Sequence, residues 1–323
     1  MRYCSLALVV VLLLSLFVGC QTGSHNTTGN TSTSGTVVTS TTVVSTTAAT
    51  STTDTATTTS SRTTTTTTVA TTTTTTAVSY PHDEEPTVAK GEIKTINGKQ
   101  WQATFVDDFD GTSLDLKKWA YCPNWVRDDC VWTNDHAYVN GDGFLILRAS
   151  GDQYPYKAGA IRTKGLFEQA YGYYEIRCQL TPIAGINPAF WLMCDAAGAV
   201  GTKGGKDGAE IDIIEAPYRN RHIVQHAVHW DGYGSAHGTA NKEIYKWNIY
   251  EGFHTFALEW NTDEYVFYID GKETWRTTAG GVCAVPTYLK LTLGIGGWTG
   301  KLNAMQLPVD AMVIDYVRVY EQA

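Results

Sequence analysis

The chain has 323 residues and a formal net charge of −8, with 24 basic and 32 acidic side chains. Residues 1–86 hold two of the basic and four of the acidic side chains, so the remainder carries a net charge of about −6. Because nucleic acids select basic surfaces, this balance argues against a nucleic-acid partner and fits an uncharged ligand.

The N-terminus has the pattern of a bacterial export signal. Arg2 precedes an apolar run from Leu6 to Val18, which is too short for a transmembrane helix. The segment 16–20 resembles the lipobox of bacterial lipoproteins, which implies cleavage before Cys20 and lipidation of its thiol. We therefore predict a signal peptide at 1–19 and an extracellular protein. It is either secreted or held at the membrane only by a lipid on Cys20.

Residues 20–86 consist mostly of Thr, Ser, Val, Ala and Gly. Large apolar side chains are too few to offset the entropy of ordering, so we predict a disordered linker. Its Thr-rich run at 63–76 is typical of an O-glycosylated stalk that holds a domain away from the cell surface. All ten Trp follow this segment, and we place one folded domain at residues 87–323.

The folded domain has the pattern of successive β-strands. Asp270-Gly271, between two of them, is a strong signal for a tight hairpin turn. Many antiparallel strands without the spacing of βαβ units indicate an all-β sandwich or barrel, and a concave sheet would provide a groove for a polymer. A short helical turn is expected at 114–119. The clearest predicted strands are 143–149, 173–180, 254–260, 265–269, 289–295 and 313–320.

The folded domain also contains cysteines, and export would permit disulfides. Cys122 and Cys130 are the expected pair, because they lie close together in a loop-like stretch that contains Pro and Asp. An odd total leaves at least one thiol unpaired, and no Cys/His spacing resembles a zinc site. The cysteines of this domain are Cys122, Cys130, Cys178, Cys194 and Cys283.

Three carboxylates lie within the apolar run 210–215. Simple alternation along a strand would direct Glu210 and Asp212 to one face but Glu215 into the core, where an unpaired carboxylate is costly. A β-bulge around Ile213-Ile214 would return Glu215 to the face of the other two. Three acids on one face suit a glycosidase, which needs a nucleophile, a general acid and a third acid to tune them. The alternative is a solvated acidic strand face.

Two aromatic segments, 188–193 and 224–230, precede and follow the acids. If the three segments pair as neighbouring strands, Trp191 and His229 flank the acidic row. Sugar-binding grooves combine an apolar lining, on which sugar C–H faces stack, with a few polar groups that bind hydroxyls. Trp191 is therefore a candidate sugar platform, whereas His229 is equally a structural hydrogen-bonding residue or a site residue.

These motifs and six further blocks, in order, resemble one known family. Residues 210–215 match a bulged Glu-x-Asp-x-x-Glu signature, and 188–193 resemble a Pro-Ala-Phe-Trp strand. The further blocks are 106–111, 158–165, 171–175, 253–260, 270–272 and 315–320. The pattern is similar to that of glycoside hydrolase family 16, the laminarinase-like β-glucanases with a concanavalin-like fold. The resemblance implies an all-β jelly roll of two antiparallel sheets with a concave substrate groove.

The resemblance also implies an enzyme, a retaining endo-hydrolase of β-linked polysaccharide. Glu210 would be the nucleophile, and Glu215 would be the acid and then the base, with a pKa raised by neighbouring charge. Asp212 would hydrogen-bond the nucleophile and modulate the proton held by Glu215. Retention predicts the two Glu carboxyls roughly 5 Å apart. Catalysis would need no cofactor, and we expect a monomer whose partner is the polysaccharide.

Other site residues follow from the same resemblance. Trp191 would stack on a sugar in the donor subsites, Arg162 would reach hydroxyls there, and His229 would sit beside the acid/base. Trp298 would form a wall of the groove. A structural Ca²⁺ would bind on the convex side through Asp315 and the backbone of Gly143, although a strand-end cap is an alternative role for Asp315.

The resemblance leaves the substrate open, because the family includes β-1,3-glucanases, mixed-linkage glucanases, agarases, porphyranases and carrageenases. The bulged signature disfavours the compact lichenase type, and no dense basic cluster suits a sulfated galactan, so we expect β-1,3- or β-1,3/1,4-glucan. The alternatives are a galactan hydrolase, a wall-remodelling transglycosylase and a non-catalytic lectin-like domain. Departures from the family pattern lie at Asn187 and Thr292 and in the loops 121–132 and 196–207, and such loops select the polymer.

Overall fold

The computed structural model describes residues 80–81, 86–218 and 222–323. The expected signal peptide, the lipidation site and the linker up to residue 79 lie outside these ranges. The described residues belong to one unit, Ala77–Ala323. Within them, no helix has the length and apolar character needed to cross a membrane.

The described part of the chain consists of β-strands joined by turns and by short 3₁₀ segments, without an α-helix. The strands are β1 (Ile93–Ile96), β2 (Lys99–Asp107), β3 (Ala120–Tyr121), β4 (Val126–Arg127), β5 (Cys130–Trp132), β6 (Ala137–Val139), β7 (Leu145–Ser150), β8 (Tyr156–Ala158), β9 (Ala160–Arg162), β10 (Gly172–Leu180), β11 (Ile186–Met193), β12 (Ala209–Glu215), β13 (Ile223–Trp230), β14 (Gly238–Tyr245), β15 (Phe253–Trp260), β16 (Tyr265–Ile269), β17 (Lys272–Thr277), β18 (Tyr288–Ile295) and β19 (Val309–Gln322).

The strands form two large sheets, which confirms the all-β sandwich. One sheet has seven strands in the order β14-β13-β12-β11-β18-β9-β3. The other has twelve strands, with the path β17-β16-β15-β10-β19-β7-β8-β5-β4 and with β1, β2 and β6 attached to it. The pairing is antiparallel except between β5 and β8, which run parallel. Strands distant in sequence become neighbours in both sheets, as β11 and β18 do.

Period-two alternation explains how the seven-stranded sheet turns apolar side chains to the core and polar side chains to the opposite face. In β18, Leu289, Leu291 and Leu293 are fully buried in the main core. Lys290 and Thr292 alternate with them and therefore lie on the opposite face. Each fully buried Leu contributes about 1.5–3 kcal/mol of transfer free energy, so the alternating leucines determine which face of β18 is turned inward.

Two local predictions are confirmed. Asp270 and Gly271 join β16 to β17 with φ angles of 51° and 69°, the left-handed conformation that a two-residue hairpin turn requires. The segment 114–119 contains a short turn, in which the Trp119 amide donates to the Asp115 carbonyl oxygen at 2.9 Å.

The expected Cys122–Cys130 disulfide is wrong, because all five cysteines of the domain are buried free thiols. Cys122 follows β3 of the seven-stranded sheet, whereas Cys130 begins β5 of the twelve-stranded sheet. Closeness in sequence therefore does not pair them. A side-chain hydrogen bond with Cys283 instead lowers the pKa of the buried Cys194 thiol.

Candidate active site

A β-bulge in β12 places the three acids together. Asp212 pairs with Ala227 of β13, but the next pair is Glu215 with Gln225, so two residues of β12 face one residue of β13. The extra residue shifts the alternation, as the sequence predicted. Glu210, Asp212 and Glu215 consequently line the same cavity on the outer face of the seven-stranded sheet.

Glu215 is held on both carboxylate oxygens by amide groups from the neighbouring strands. Asn187 Nδ2 of β11 donates to Oε1 at 2.9 Å, and Gln225 Nε2 of β13 donates to Oε2 at 2.7 Å. Burial raises the pKa of Glu215, while the two amide hydrogen bonds lower it and the nearby Glu210 charge raises it further. A carboxyl fixed in position with a raised pKa suits a general acid.

Asp212 lies between the two glutamates and is almost completely buried. His229 Nε2 of β13 lies 3.3 Å from Asp212 Oδ2. Burial, together with the charges of Glu210 and Glu215, raises the pKa of Asp212, and His229 opposes that effect. Burial lowers the pKa of His229, but the pairing with Asp212 and the other carboxylates outweighs it and brings the pKa to about 9. The imidazolium therefore neutralises part of the acidic cluster at neutral pH.

His229 is paired with Asp212 and lies near enough to the acid/base Glu215 for the charge of each to act on the pKa of the other. It lies opposite Glu210 in the β12–β13 register and pairs with Asp212, whereas Gln225 lies opposite Glu215. Its other nitrogen, Nδ1, is 3.0 Å from Nε2 of His237. Among the described side chains, His229 is the one paired with Asp212, and the hydrogen bond expected between Asp212 and Glu210 stays a prediction.

Glu210 accepts a hydrogen bond from a loop residue. The Tyr233 hydroxyl, between β13 and β14, donates to Glu210 Oε2. The same hydroxyl lies 3.7 Å from the sulfur of Met193, at the end of β11. Tyr233 is 55% exposed, so it covers the carboxylate from the solvent side and orients one of its oxygens.

Two tryptophans line the cavity that the acids occupy. Trp191 of β11 is only 6% exposed, and its Nε1 donates to Thr292 Oγ1 of β18 at 3.0 Å. Trp298, in the 3₁₀ segment Gly297–Thr299, is 49% exposed and lines the same cavity. Trp298 thus exposes about half of its side chain to solvent, whereas Trp191 is almost completely covered.

Arg162 lies on the same face, at the end of β9. It pairs in register with Lys290 of β18, and Lys290 pairs with Trp191 of β11. The row continues to Asp212 of β12, so Arg162 is three strands from the acids. The loop 121–132, which the sequence left without a pattern, contributes Arg127 and Trp132 to the cavity wall.

The residues expected to bind calcium lie in the twelve-stranded sheet. Asp315 of β19 is buried, and its Oδ2 accepts a hydrogen bond from Arg177 Nη1 of β10 at 2.6 Å. Gly143 precedes β7 with a φ of 81°. The Asp315 carboxylate is thus already neutralised by a guanidinium, which opposes a divalent cation at the same oxygen. Calcium at this position stays a prediction.

Another set of ligand-type atoms lies in the active site itself. Glu210, Asp212 and His229 each offer an atom, and these atoms lie within 4.8 Å of one another. The His229–Asp212 pair and the Tyr233–Glu210 hydrogen bond account for the closeness of these atoms. We therefore assign no metal to these residues.

Several groups in the site were not anticipated from the sequence. Asn187 was noticed only as a departure from the family pattern, and the amide of Gln225 was not considered. The sequence does contain a clue to Gln225. A bulge at Ile213-Ile214 shifts the β12–β13 register and brings residue 225 opposite Glu215. Lys290 was also detectable, as a charged residue in an otherwise apolar strand. Tyr233 had no such signal, since loop geometry places it.

Comparison with known proteins agrees with this geometry. Residues 124–318 match the model of glycosyl hydrolases family 16. A keratan-sulfate endo-1,4-beta-galactosidase from Sphingobacterium multivorum is 30% identical over 263 residues, which cover 73% of this chain and 60% of that protein. A beta-glucanase from Acetivibrio thermocellus is 28% identical over 237 residues, covering 72% and 65%. The chain thus spans less than two thirds of the length of these curated relatives.

A solved structure shares the fold. The endo-beta-1,3-glucanase from Pyrococcus furiosus superimposes with a TM-score of 0.62 at 26% sequence identity. The match covers 73% of this chain and 99% of that chain. The matched share of the Pyrococcus chain indicates that the common part is a complete domain of that enzyme.

Proposed function

The chain belongs to glycosyl hydrolase family 16, and from this premise we propose that it cleaves β-linked polysaccharide internally, with retention of the anomeric configuration. One observation carries the proposal. The bulge in β12 turns Glu215 to the face of Glu210 and Asp212, within a cavity that Trp191 and Trp298 also line. A nucleophile and a proton donor are the parts that double displacement requires, and the partly exposed Trp298 adds an aromatic surface beside them.

In the first step the Glu210 carboxylate attacks the anomeric carbon, while Glu215 gives its proton to the glycosidic oxygen. The glycosidic bond breaks and an ester forms between the sugar and Glu210. In the second step Glu215, now ionised, takes a proton from water, and the resulting oxygen attacks the anomeric carbon and releases Glu210. The amides of Asn187 and Gln225 hold Glu215 in place for both transfers.

Asp212 and His229 adjust the charge around these steps. The positive His229 stabilises a cluster of carboxylates that would otherwise repel one another. When Glu215 loses its proton, a negative charge appears near Asp212. We infer that the Asp212–His229 pair disperses this charge and keeps the pKa of Glu215 in a range where the proton can both leave and return.

The backbone of the substrate is expected to be β-1,3- or β-1,3/1,4-glucan. The relatives named as beta-glucanases and the fold match to an endo-beta-1,3-glucanase support this choice. A second candidate is a β-galactan, because the relative from Sphingobacterium multivorum is a keratan-sulfate endo-1,4-beta-galactosidase.

The test is release of reducing ends from laminarin, mixed-linkage β-glucan, agarose, porphyran and carrageenan by the wild type and by Glu210→Ala. We expect one polymer to be cleaved and the variant to lose at least roughly a thousandfold in kcat, since the covalent step disappears. Gln153→Met, in an exposed loop, is the control and should keep full activity.

Analysis of the products distinguishes a hydrolase from a transglycosylase and from a non-catalytic domain. Retention is read from the anomer that forms first, by NMR of the fresh reaction. Longer chains among the products would indicate a transglycosylase, whereas short oligomers alone indicate hydrolysis. A folded protein that cleaves no polymer of the panel would overturn the proposal and favour a lectin-like role or another glycan.

A further inference from the structure

The loop 231–237 joins β13 to β14 and reaches the acidic cluster. It begins after Trp230 and ends before Gly238, two residues that pair in register. A Cβ atom at position 238 would lie 2.2 Å from the ring of Trp230, so only glycine lets this ring pack against the start of β14. The two ends of the loop are therefore fixed to each other.

Hydrogen bonds also fix this loop to the neighbouring loop 196–207. The Gly232 amide donates to the Ala197 carbonyl oxygen at 3.1 Å, and the Gly201 amide donates to Asp231 Oδ1 at 2.9 Å. These bonds hold the backbone that carries Tyr233. The loop 196–207, which matched no family pattern, thus acts on the active site through the loop 231–237.

Tyr233 contacts the nucleophile. Its hydroxyl donates to Glu210 Oε2. Burial of the hydroxyl and the charge of Glu210 raise the pKa of Tyr233, so the phenol keeps its proton and remains a donor. Because Oε2 is held in this way, Oε1 is the oxygen left to attack the anomeric carbon, and Oε2 becomes the carbonyl oxygen of the ester.

His237, at the other end of the loop, contacts the imidazole that faces Asp212. Its Nε2 lies 3.0 Å from His229 Nδ1, and the two rings stack with centroids 5.1 Å apart and an angle of 18° between their planes. The pKa of His229 is about 9, so both of its nitrogens carry protons at neutral pH and both donate. The Nε2 atom of His237 is consequently the acceptor.

Packing of the core does not explain these two contacts. Tyr233 is 55% exposed, and residues 234–236 after it are exposed as well, so the loop buries little apolar surface. Its two ring side chains nevertheless each end on a member of the catalytic cluster. One ends on the nucleophile and the other on the histidine that neutralises the acids.

We propose that the loop 231–237 positions the catalytic groups: Tyr233 orients the attacking carboxylate of Glu210, and His237 holds His229 in the orientation that faces Asp212. The inference rests on the proposed function and adds to it two positioning residues outside the acidic signature. Both act through a neighbour, and neither exchanges a proton with the substrate.

Tyr233→Phe tests the first contact, because it removes the donor and keeps the ring. We expect kcat on the cleaved polymer to fall roughly tenfold or more, with KM within about twofold of the wild type, since a hydrogen bond to the reacting carboxylate is lost. Tyr154→Phe, in a loop where the tyrosine is 62% exposed, is the matched control and should keep the wild-type kcat.

The second contact is tested without a substrate. The His229 ring is titrated by NMR in the wild type, in His237→Phe, which keeps a ring, and in His237→Gln, which keeps an acceptor. We expect the pKa of His229 to fall by about one pH unit in the phenylalanine variant, because the charged imidazole loses its acceptor. The glutamine variant should restore it.

The other groups around His229 are the same in all three proteins. The carboxylates of Glu210, Asp212 and Glu215 face it from β12, and β14 places the non-titrating Thr239 opposite it. Tyr154→Phe is again the control and should leave the His229 titration unchanged. His237→Leu takes the place of His237→Phe if the phenylalanine variant does not fold.

An unchanged kcat in Tyr233→Phe, or a His229 titration that is the same without the His237 acceptor, would overturn the inference. If the wild type still cleaves its polymer in that case, the proposed function stands without it. A His229 titration that responds to His237 in a protein that cleaves no polymer would instead reject the proposed function and keep the contact between the two histidines.

Discussion

At the scale of single residues, the chemistry depends on how one carboxyl keeps its proton. Glu215 is buried, which raises its pKa, but Asn187 and Gln225 donate hydrogen bonds to both oxygens and restrain that increase. Hydrogen bonds to an ionised carboxylate favour the ionised form. The two amides therefore determine the highest pH at which Glu215 still acts as an acid.

The opposing effects of burial and hydrogen bonding on the pKa of Glu215 predict the result of Gln225→Met. This substitution keeps the length of the side chain but removes the hydrogen-bond donor. Loss of a hydrogen bond to the carboxylate raises the pKa of Glu215, so its protonated form persists to higher pH. We expect the basic limb of the pH profile of kcat/KM to move up by about one pH unit, with kcat at the optimum reduced modestly. The control is Gln153→Met, and a basic limb that moves down or stays in place would contradict the assignment of Glu215.

At the scale of the strand, the bulge in β12 allows Glu215 to share a face with the other acids. Ile213 and Ile214 are both completely buried, so the bulge keeps apolar side chains in the core while it turns the next residue outward. A regular strand of the same composition would bury a carboxylate among leucines and isoleucines. The bulge therefore serves both the packing of the core and the geometry of the site.

Insertion of one Ala between Ile214 and Glu215 tests this interpretation, because the added residue shifts the alternation once more and directs Glu215 inward. We expect loss of activity and a fall of several kcal/mol in the free energy of unfolding, the cost of burying an uncompensated charge. Ile213→Val keeps the bulge and should cost only about 0.5–1.5 kcal/mol with activity retained. Urea denaturation and reducing-sugar release measure both effects, and an active insertion variant would show that the bulge does not determine the face on which Glu215 lies.

At the scale of the whole molecule, one sheet carries the active site and the other covers the opposite side of the core. The seven-stranded sheet carries the acids and the tryptophans on its outer face, while the twelve-stranded sheet closes the other side of the core. The buried Arg177–Asp315 pair joins β10 to β19 within the larger sheet. Because Arg177 already neutralises the carboxylate of Asp315, a calcium ion bound at this carboxylate should add little to the stability of the domain.

Chelation of divalent cations measures how far the thermal stability of the domain depends on calcium. We expect the Tm in excess EDTA to stay within about 2 °C of the Tm in CaCl₂, because a ligand stabilises a fold only when it binds the native state. A decrease of about 5 °C or more, reversed by CaCl₂ and absent in Asp315→Asn, would instead establish the calcium site at Asp315 and Gly143. The same titration with MgCl₂ controls for ionic strength.

The sequence by itself determined the parts that depend on local order along one strand. Period-two alternation predicted the strands, the Asp270-Gly271 pair predicted its hairpin, and the spacing of the acids predicted a bulge, since no other local change returns Glu215 to the face of Glu210. Tertiary structure decided everything that depends on which strands become neighbours. It placed Asn187 and Gln225 around Glu215, Lys290 beside Arg162, and Cys122 and Cys130 in different sheets. These contacts join segments far apart in the chain, and their register is set by the packing of the whole core, which a local pattern does not encode.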